Sequence, residues 1–248
     1  MQCISSHIKV CIVVPMYNEE RIARISAGTI IQYTKTLPPT ATLLVVNDGS
    51  RDKTEDIVKA VAAQYQPNDF IVLSHAANQG YGAALKTGIR YAVDHKYDYV
   101  LFMDSDLTNH PKYLQVFYEK MIEGWDYIKA SRYAKGGRVE GVPWRHRIIS
   151  IVGNYIAQQL YGLPFTDLTN GFRAVKVDIL KQMNLQENDF AIILEELLHA
   201  KYLTRSFCEI PCTLTSREDD QGTTHFSYSL KTCARYLKYA ILSRFSKN

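Results

Sequence analysis

Three features of the sequence predict an α/β fold built around a mostly parallel sheet. Short apolar, β-branched runs alternate with stretches of helical periodicity, the pattern of strands joined by crossover helices. The run around Tyr99–Phe102 is apolar without alternation, as a strand covered on both faces requires. Each of the early runs then stops on residues rich in Asp, Asn and Gly, at the strand ends where open α/β sheets hold their ligands.

Composition bounds what such a fold can do. With 248 residues, 46% apolar and 22% charged, the chain can bury one sizeable core and is not disordered. A net charge of +4 is too mild to imply nucleic acid but suits an anionic ligand or a lipid surface. No stretch reaches the ~18 uninterrupted apolar residues of a membrane span, since Ile148 to Leu163 is broken by Asn154, Gln158 and Gln159. The start of the chain, with Lys9 inside its apolar stretch, does not resemble a cleaved signal. Five cysteines without a CxxC pair argue against a disulfide framework or a zinc site and for a reducing, cytoplasmic setting.

The first unit runs from a strand at Lys9–Val14 through Pro15-Met16-Tyr17-Asn18-Glu19 into a helix carrying Ile22, Ile25, Ile30 and Tyr33. Pro15 and Tyr17 can floor a pocket there, with Tyr17 against a ribose or base and Glu19 accepting from hydroxyls. Alternatively Asn18 caps the helix and Tyr17 packs. The second unit, Ala41–Val46, turns at Asn47-Asp48-Gly49-Ser50-Arg51-Asp52 into a helix with Ile57, Val58, Val61 and Tyr65, with Ser50 or Asp52 as its cap. A third strand, Phe70–Leu73, leads to Asn78-Gln79-Gly80-Tyr81-Gly82, whose glycines either cradle a phosphate or permit close helix–sheet packing. The fourth, Tyr97–Met103, ends on Asp104-Ser105-Asp106. Carboxylates at i and i+2 can share a divalent cation such as Mg²⁺ or Mn²⁺ on a diphosphate once the chain leaves strand geometry; the alternative is a turn in which Asp106 caps a helix near His110-Pro111. Right-handed crossovers bring Glu19, Asp48 and Asp104/Asp106 to one rim, a convergence that turn chemistry alone does not explain.

Pro15–Glu19, Asn47–Asp52, Asn78–Gly82 and Asp104–Asp106 resemble, in order and spacing, the motifs of family 2 glycosyltransferases with the GT-A fold. Downstream, Ala130-Ser131-Arg132-Tyr133 with Gly136-Gly137, then Asp167–Ala174, then Glu209-Ile210-Pro211 and Arg217 are similar to dolichyl-phosphate (polyprenyl-phosphate) mannosyltransferases, so the resemblance covers roughly residues 9 to 225. It implies a Rossmann-like α/β/α sandwich around a mostly parallel mixed sheet, with a catalytic domain over residues 1–225 and a C-terminal amphipathic helix over 226–248. By position, Pro15, Tyr17, Glu19, Val46 and Asp48 would hold the nucleoside, Ser105 would lie beside the nucleotide, and Asp104 and Asp106 would hold the metal. Arg132 and Arg217 would face sugar and phosphates.

Three departures from the family pattern bear on the donor. Asn47 replaces the first Asp of the second motif, leaving Asp48 to carry the nucleoside contact. Thr108, a neutral oxygen, stands where a third metal ligand is often found. The expected Arg-x-x-Gly-x-Ser-Lys is stretched and acidic from Arg217 onward, with His225 in place of the lysine at the donor site.

The remaining segments bear on the acceptor. Asp126–Arg132 reads as a fifth strand delivering Arg132 to the rim, and Gly136–Gly141 as a mobile loop. Arg145 and Arg147 open a helix bearing Ile148, Ile149, Ile151, Val152, Tyr155, Ile156 and Leu160. Cations before an apolar helix suit a lipid phosphate and its first prenyl units, or simply a solvated basic helix start. Asp167 and Arg173 are further acceptor candidates. Glu195 and Glu196 lie in an apolar helical run, and because neighbouring helical residues diverge by about 100°, at most one is expected to point inward, as a base or as a partner ordering Arg217 or Arg173. Phe226–Phe245 reads as a helix with a basic flank, packed on the domain or touching lipid or a membrane subunit.

The resemblance thus implies a metal-dependent inverting transfer of a hexose, mannose from GDP-mannose foremost, to a polyprenyl (dolichyl) phosphate at the cytosolic face of a membrane. One alternative sends a sugar from UDP-glucose or another nucleotide sugar to a hydroxyl of a glycan or small molecule. Another, prompted by Asn47, Thr108 and His225, is a catalytically silent partner that binds a nucleotide sugar.

Overall fold

The computed structural model describes residues 8–38, 40–216 and 230–245. In chain order its elements are β1 (Val10–Met16), α1 (Ala23–Thr34), β2 (Ala41–Asn47), α2 (Thr54–Ala62), β3 (Phe70–Ser74), α3 (Tyr81–Asp94) and β4 (Tyr99–Phe102). They continue with α4 (Leu114–Ile122), β5 (Tyr127–Ser131), β6 (Arg138–Val139), α5 (Trp144–Tyr161), β7 (Arg173–Lys176) and α6 (Val177–Leu180). The chain closes with α7 (Ile192–Leu203), β8 (Phe207–Pro211), β9 (Thr213–Leu214) and α8 (Leu230–Phe245).

A seven-stranded sheet in the order β3-β2-β1-β4-β7-β5-β8 forms the frame. β1 pairs in parallel with both β2 and β4, and β5 in parallel with β8, whereas β7 runs antiparallel between β4 and β5. Two reversals restore direction, so β5 points the same way as β4 and the carboxyl ends of β1, β2, β4 and β5 share one rim.

Strand periodicity divides the core into two layers. Val10, Ile12, Val14 and Met16 of β1 face α1, α2 and α4, together with Leu43, Val45, Tyr99 and Leu101. Cys11 and Val13 face the opposite way with Leu44, Val46, Val100 and Phe102, against α3, α7 and α8. Burial on both sides is why these strands read as unbroken apolar runs. Each such Val, Leu or Ile contributes roughly 1.5–3 kcal/mol by leaving water.

Several local expectations change. Gly136–Gly141 is not a loose loop: Arg138 and Val139 form β6, which pairs with β9, and the Arg138 and Glu140 amides donate to Cys212 and Leu214 at 3.0 and 2.8 Å. Asn18 does not cap α1; its side chain accepts from the Arg51 amide at 2.9 Å and so ties the first two strand-end loops together. His110, not Asp106, caps the turn before α4, accepting from the Lys112 amide.

Helix α5 is inverted. Its buried stripe consists of Asn154, Ala157 and Tyr161, while Trp144, Ile148, Ile149, Ile151, Val152, Tyr155 and Ile156 are all exposed, by 42–66%. α8 lies against α5 and α7, with Tyr239 and Ala240 buried. Among the described residues, no helix is long and apolar enough to cross a membrane.

Candidate active site

Beyond β4 the chain leaves the sheet with alternating exposure: Asp104, Asp106 and Thr108 are partly exposed, and Ser105, Leu107 and Asn109 are buried. This alternation puts both acids on the open side of the rim. Tyr81, the first residue of α3, donates its hydroxyl to Asp104 Oδ1 at 3.0 Å. Gly171 lies against the same carboxylate, so close that a Cβ there would fall 2.9 Å from Oδ2. Asp106 Oδ1 accepts from both the amide and the hydroxyl of Thr108, at 3.0 and 2.8 Å. Burial and then the charge of Asp106 raise the Asp104 carboxyl to about 6. Burial, reinforced by Asp104, pushes the Tyr81 phenol well above its ordinary range, which keeps it a donor.

These residues fit a divalent cation. They present two hard carboxylates that repel one another, with a side-chain-free cradle at Gly171 beside one of them. Thr108, suggested as a third ligand, directs its hydroxyl proton at Asp106 and orients it, which leaves its oxygen lone pairs unspent by that bond.

Two strands away, Asp48 is buried, and its carboxylate is met on most sides. The Gln79 and Gly80 amides donate to it at 2.9 and 2.8 Å, and His75 Nδ1 lies 2.7 Å from Oδ1. Three of the roughly four lone-pair directions of a carboxylate are thus engaged. His75 continues to Thr87 Oγ1 at 2.9 Å. Gly80 and Tyr81, adjacent in sequence, therefore tie Asp48 to Asp104, so these two of the expected strand-end acids are brought to neighbouring positions. Asn47, wholly buried, donates to Glu55 at 3.0 Å, a lattice role in place of a ligand contact. Glu19 takes its place through its backbone: its amide donates to Thr54 Oγ1 at 2.7 Å and its carbonyl accepts from Ile22 and Ala23. Pro15 and Val46 lie side by side in register beneath the rim, and both are buried. The Val46 side chain is thus part of the core, not of a nucleoside-facing surface. Tyr17 is half-buried and Ser105 buried.

Residues assigned to the acceptor fall into four groups. Arg132 and Asp167, separately assigned from sequence, form one bidentate pair: Nε to Oδ2 at 2.6 Å and Nη2 to Oδ1 at 2.8 Å. Burial alone would raise Asp167, but the Arg132 charge and hydrogen bonds hold it below the ordinary carboxylate value. Arg173 and Glu196 are also a bidentate pair, at 2.6 and 2.7 Å, with no exposed surface. Tyr127 adds a hydroxyl to Glu196, and Arg173 reaches the Gly171 carbonyl at 2.8 Å. Glu195 accepts from the Gln186 and Glu187 amides, both at 2.9 Å.

The expectation that only one of these glutamates points inward is wrong. α7 is covered on two flanks, by the sheet beneath Glu196 and by the 186–187 segment over Glu195. Asp167, Arg173, Glu195 and Glu196 therefore support the site from below and do not face an acceptor. Arg145 and Arg147 alone of that set are exposed, at the start of α5. Arg217 and His225 lie outside the described residues.

Lys129, which sequence reasoning passed over, is fully buried in β5 and donates to the Asn170 carbonyl. Burial, then the charge of Arg173, lowers its ammonium to about 7. Asn170 in turn exchanges amide hydrogen bonds with Asn109, at 3.2 and 3.3 Å. Asn154 of α5, noted only as a break in an apolar run, accepts from the Leu168 amide at 2.8 Å and donates to Thr169 Oγ1, which also receives Arg132. A lysine between Ile128 and Ala130, and an Asn in an apolar helix, were the available signals.

Comparison with known proteins places the chain among its relatives. The sequence is 28% identical over 84% of its length to a polyprenol monophosphomannose synthase of Mycolicibacterium smegmatis, covering 77% of that protein. It is also 28% identical to an undecaprenyl-phosphate mannosyltransferase of Micrococcus luteus, over 85% of each chain. Among solved structures, glucosyl-3-phosphoglycerate synthase of Mycobacterium tuberculosis in complex with Mn²⁺, UDP and glucosyl-3-phosphoglycerate superposes with a TM-score of 0.64 at 18% identity, over 96% of this chain and 80% of that one. The same enzyme with Mg²⁺ and UDP gives 0.63 at 19%, over 96% and 79%. These likenesses fix the fold as GT-A. A family model described as glycosyl transferase family 2 matches residues 11–183, well over half the sequence, and the chain belongs to that family.

Proposed function

We propose that this nucleotide-sugar-dependent glycosyltransferase moves a hexose, mannose from GDP-mannose foremost, to a polyprenyl phosphate at a membrane surface, with inversion. The observation that carries the acceptor half is the inversion of α5. A helix that buries Asn154 and exposes five isoleucines and valines, a Trp and a Tyr suits an apolar exterior, and Arg145 and Arg147 at its start suit phosphate. Its polar stripe is rooted in the rim: Asn154 holds Thr169 beside Arg132, and Ser150 accepts from Tyr133 at 2.8 Å. A lipid phosphate reaching along α5 would arrive near Arg132. Both curated relatives named above carry a polyprenyl acceptor in their names, which supports the same reading.

Asp104 and Asp106 would hold a divalent cation that, when bound, offsets the charge growing on the departing nucleoside diphosphate. The chain's own groups do the rest. Tyr81 and Thr108 aim the two acids, and the loop held by Asp48 lines the nucleoside side, with Tyr17 and Glu19 at its edge. Arg132, fixed by Asp167, offers a cation toward sugar and phosphate oxygens. No acid of α7 serves as a base, because Glu195 and Glu196 are buried and bonded. A phosphate acceptor needs none, being anionic near neutral pH, whereas a sugar hydroxyl must lose a proton to attack. That contrast favours phosphate.

A second reading, glucose from UDP-glucose to a hydroxyl acceptor, draws on the UDP carried by the structural neighbours. The deciding experiment pairs a thermal-shift screen of GDP- and UDP-sugars, with and without Mn²⁺, with a transfer assay offering either polyprenyl phosphate or a water-soluble sugar. The proposal expects the largest shift from a GDP-sugar plus Mn²⁺ and product only with polyprenyl phosphate. Product on the soluble sugar alone would overturn it.

A further inference from the structure

Asp104 is held by a phenol from outside the acidic motif, and that phenol is itself held in place. Tyr81 bonds its Oδ1 at 3.0 Å, and the ring of Tyr81 stacks on Phe190, with centroids 4.4 Å apart and planes 24° from parallel. Phe190 ends a segment that is itself clamped to α3. The Gly82 amide donates to Asn188 O at 2.9 Å, and Lys86 bonds Gln186 O and Asn188 Oδ1 at 3.2 and 2.6 Å. Side chains at Gly80 and Gly82 would drive into Asn188 and Glu187 backbone, at 2.2 and 2.6 Å, so both glycines are needed for this approach. From the other side, Tyr236 of α8 reaches Phe190 O at 3.4 Å and Tyr239 bonds Glu187 at 2.7 Å. The chain of contacts runs from the C-terminal helix through Phe190 to a phenol aimed at one oxygen of one acid.

We infer that Tyr81 is a positioning residue for the cation site: stacked on Phe190, it fixes Asp104 Oδ1 and turns Oδ2, which lies over Gly171, toward the cation. A carboxylate on a strand end can rotate about its last torsion, and a charge-assisted bond to one oxygen removes that freedom before the cation arrives. Asp106 receives the equivalent support from Thr108. The inference rests on the cation reading of Asp104 and Asp106, and the test separates the two.

Free Mn²⁺ is titrated against the full chain with GDP or UDP and followed by electron paramagnetic resonance. Tyr81→Phe keeps the ring and the stack and loses only the hydroxyl. It is expected to bind Mn²⁺ about tenfold more weakly, the size of a lost hydrogen bond to a charged group, with unchanged affinity for nucleotide in the absence of metal. Phe190→Leu, which frees the Tyr81 ring, is expected to cost two- to threefold, and nothing further when added to Tyr81→Phe. A Tyr81→Phe affinity within twofold of the parent, or a Phe190→Leu effect that adds in full, overturns the inference while the cation reading stands. Should the parent bind no Mn²⁺, or Asp104→Asn bind it as the parent does, the cation reading falls and the inference with it.

Discussion

Asp48 and Asp104 end strands of the same sheet, separated only by β1, and both are largely withdrawn from water. Their surroundings differ. Asp48 sits among two amide donors and an imidazole, while Asp104 has one phenol, a cradle without a side chain and a second carboxylate two residues on. A buried carboxylate surrounded by donors is structural, since it is stabilised by the fold that surrounds it. One left beside a like charge is destabilising unless something outside the chain neutralises it. The two acids look alike as strand-end residues, and only their neighbours separate the clamped acid from the proposed cation ligand.

Exchanging each for its amide tests this contrast, and the largest effect is expected on rate. Asp104→Asn should lower turnover by at least about a thousandfold, the scale of losing a main electrostatic element, with a thermal midpoint equal to or above the parent's, because a repelled carboxylate has been removed. Asp48→Asn should do the opposite. It leaves one oxygen for the Gln79 and Gly80 amides, so stability falls by roughly 1–3 kcal/mol and turnover by far less than for Asp104→Asn. Steady-state kinetics and calorimetric melting on both variants decide the matter, and an inverted outcome would mean that the two acids have been assigned the wrong way round.

The same contrast shows what was readable beforehand. Strand ends bearing acids were visible because apolar runs and i, i+2 spacing are local properties, and parallel topology then brings the ends together. Pairings across long separations were less so: Glu196 with Arg173 was among the expected alternatives, whereas Arg132 with Asp167 was not expected at all. Arg132 and Asp167 stand 35 residues apart, Arg173 and Glu196 stand 23 apart, and nothing local in any of the four fixes which partner it will meet. β7, only Arg173–Lys176, was too short to announce an antiparallel strand in the middle of the sheet. α5 misled for another reason: a count of apolar residues is the same whether they face the core or the exterior. Only the position of Asn154 marked the inward side. Arg217 and His225, which carry the family's last motif, lie outside the described residues.

Beneath the rim, the buried pairs extend the comparison from acids to cations. Arg173 is matched to Glu196 through two hydrogen bonds, and although burial works against its charge, that partner raises its affinity for the proton. Glu196→Gln leaves the guanidinium buried without its counter-charge and should cost roughly 3–5 kcal/mol. The double variant Arg173→Met, Glu196→Met, which removes both charges and keeps volume, should recover much of that loss. Chemical denaturation of the three proteins checks this. A mild Glu196→Gln would show that Arg173 draws its compensation elsewhere.

Lys129, by contrast, has no carboxylate bonded to it among the described residues, and its titration should be visible in stability. It is faced by Arg173 of β7 and Arg132 at the end of β5, with Asp167 before β7 and Glu196 of α7 as the opposing charges, and burial is the dominant influence. Its ammonium is disfavoured in the folded chain, where its pKa is about 7, but not in the unfolded chain, where it lies near 10.5. Below pH 7 both states are protonated and the full cost of burial is present. Between pH 7 and 10.5 the unfolded chain holds the extra proton, so stability rises with pH, unlike the usual loss seen when a partnered lysine deprotonates. From pH 7 to 9 the parent should gain roughly 2 kcal/mol relative to Lys129→Met, read as the difference between two denaturation series. Parallel pH profiles for parent and variant would mean that Asp167 and Glu196 already balance the Lys129 charge through space. The distinction between bonded and unbonded buried charges would then hold for the rim acids only.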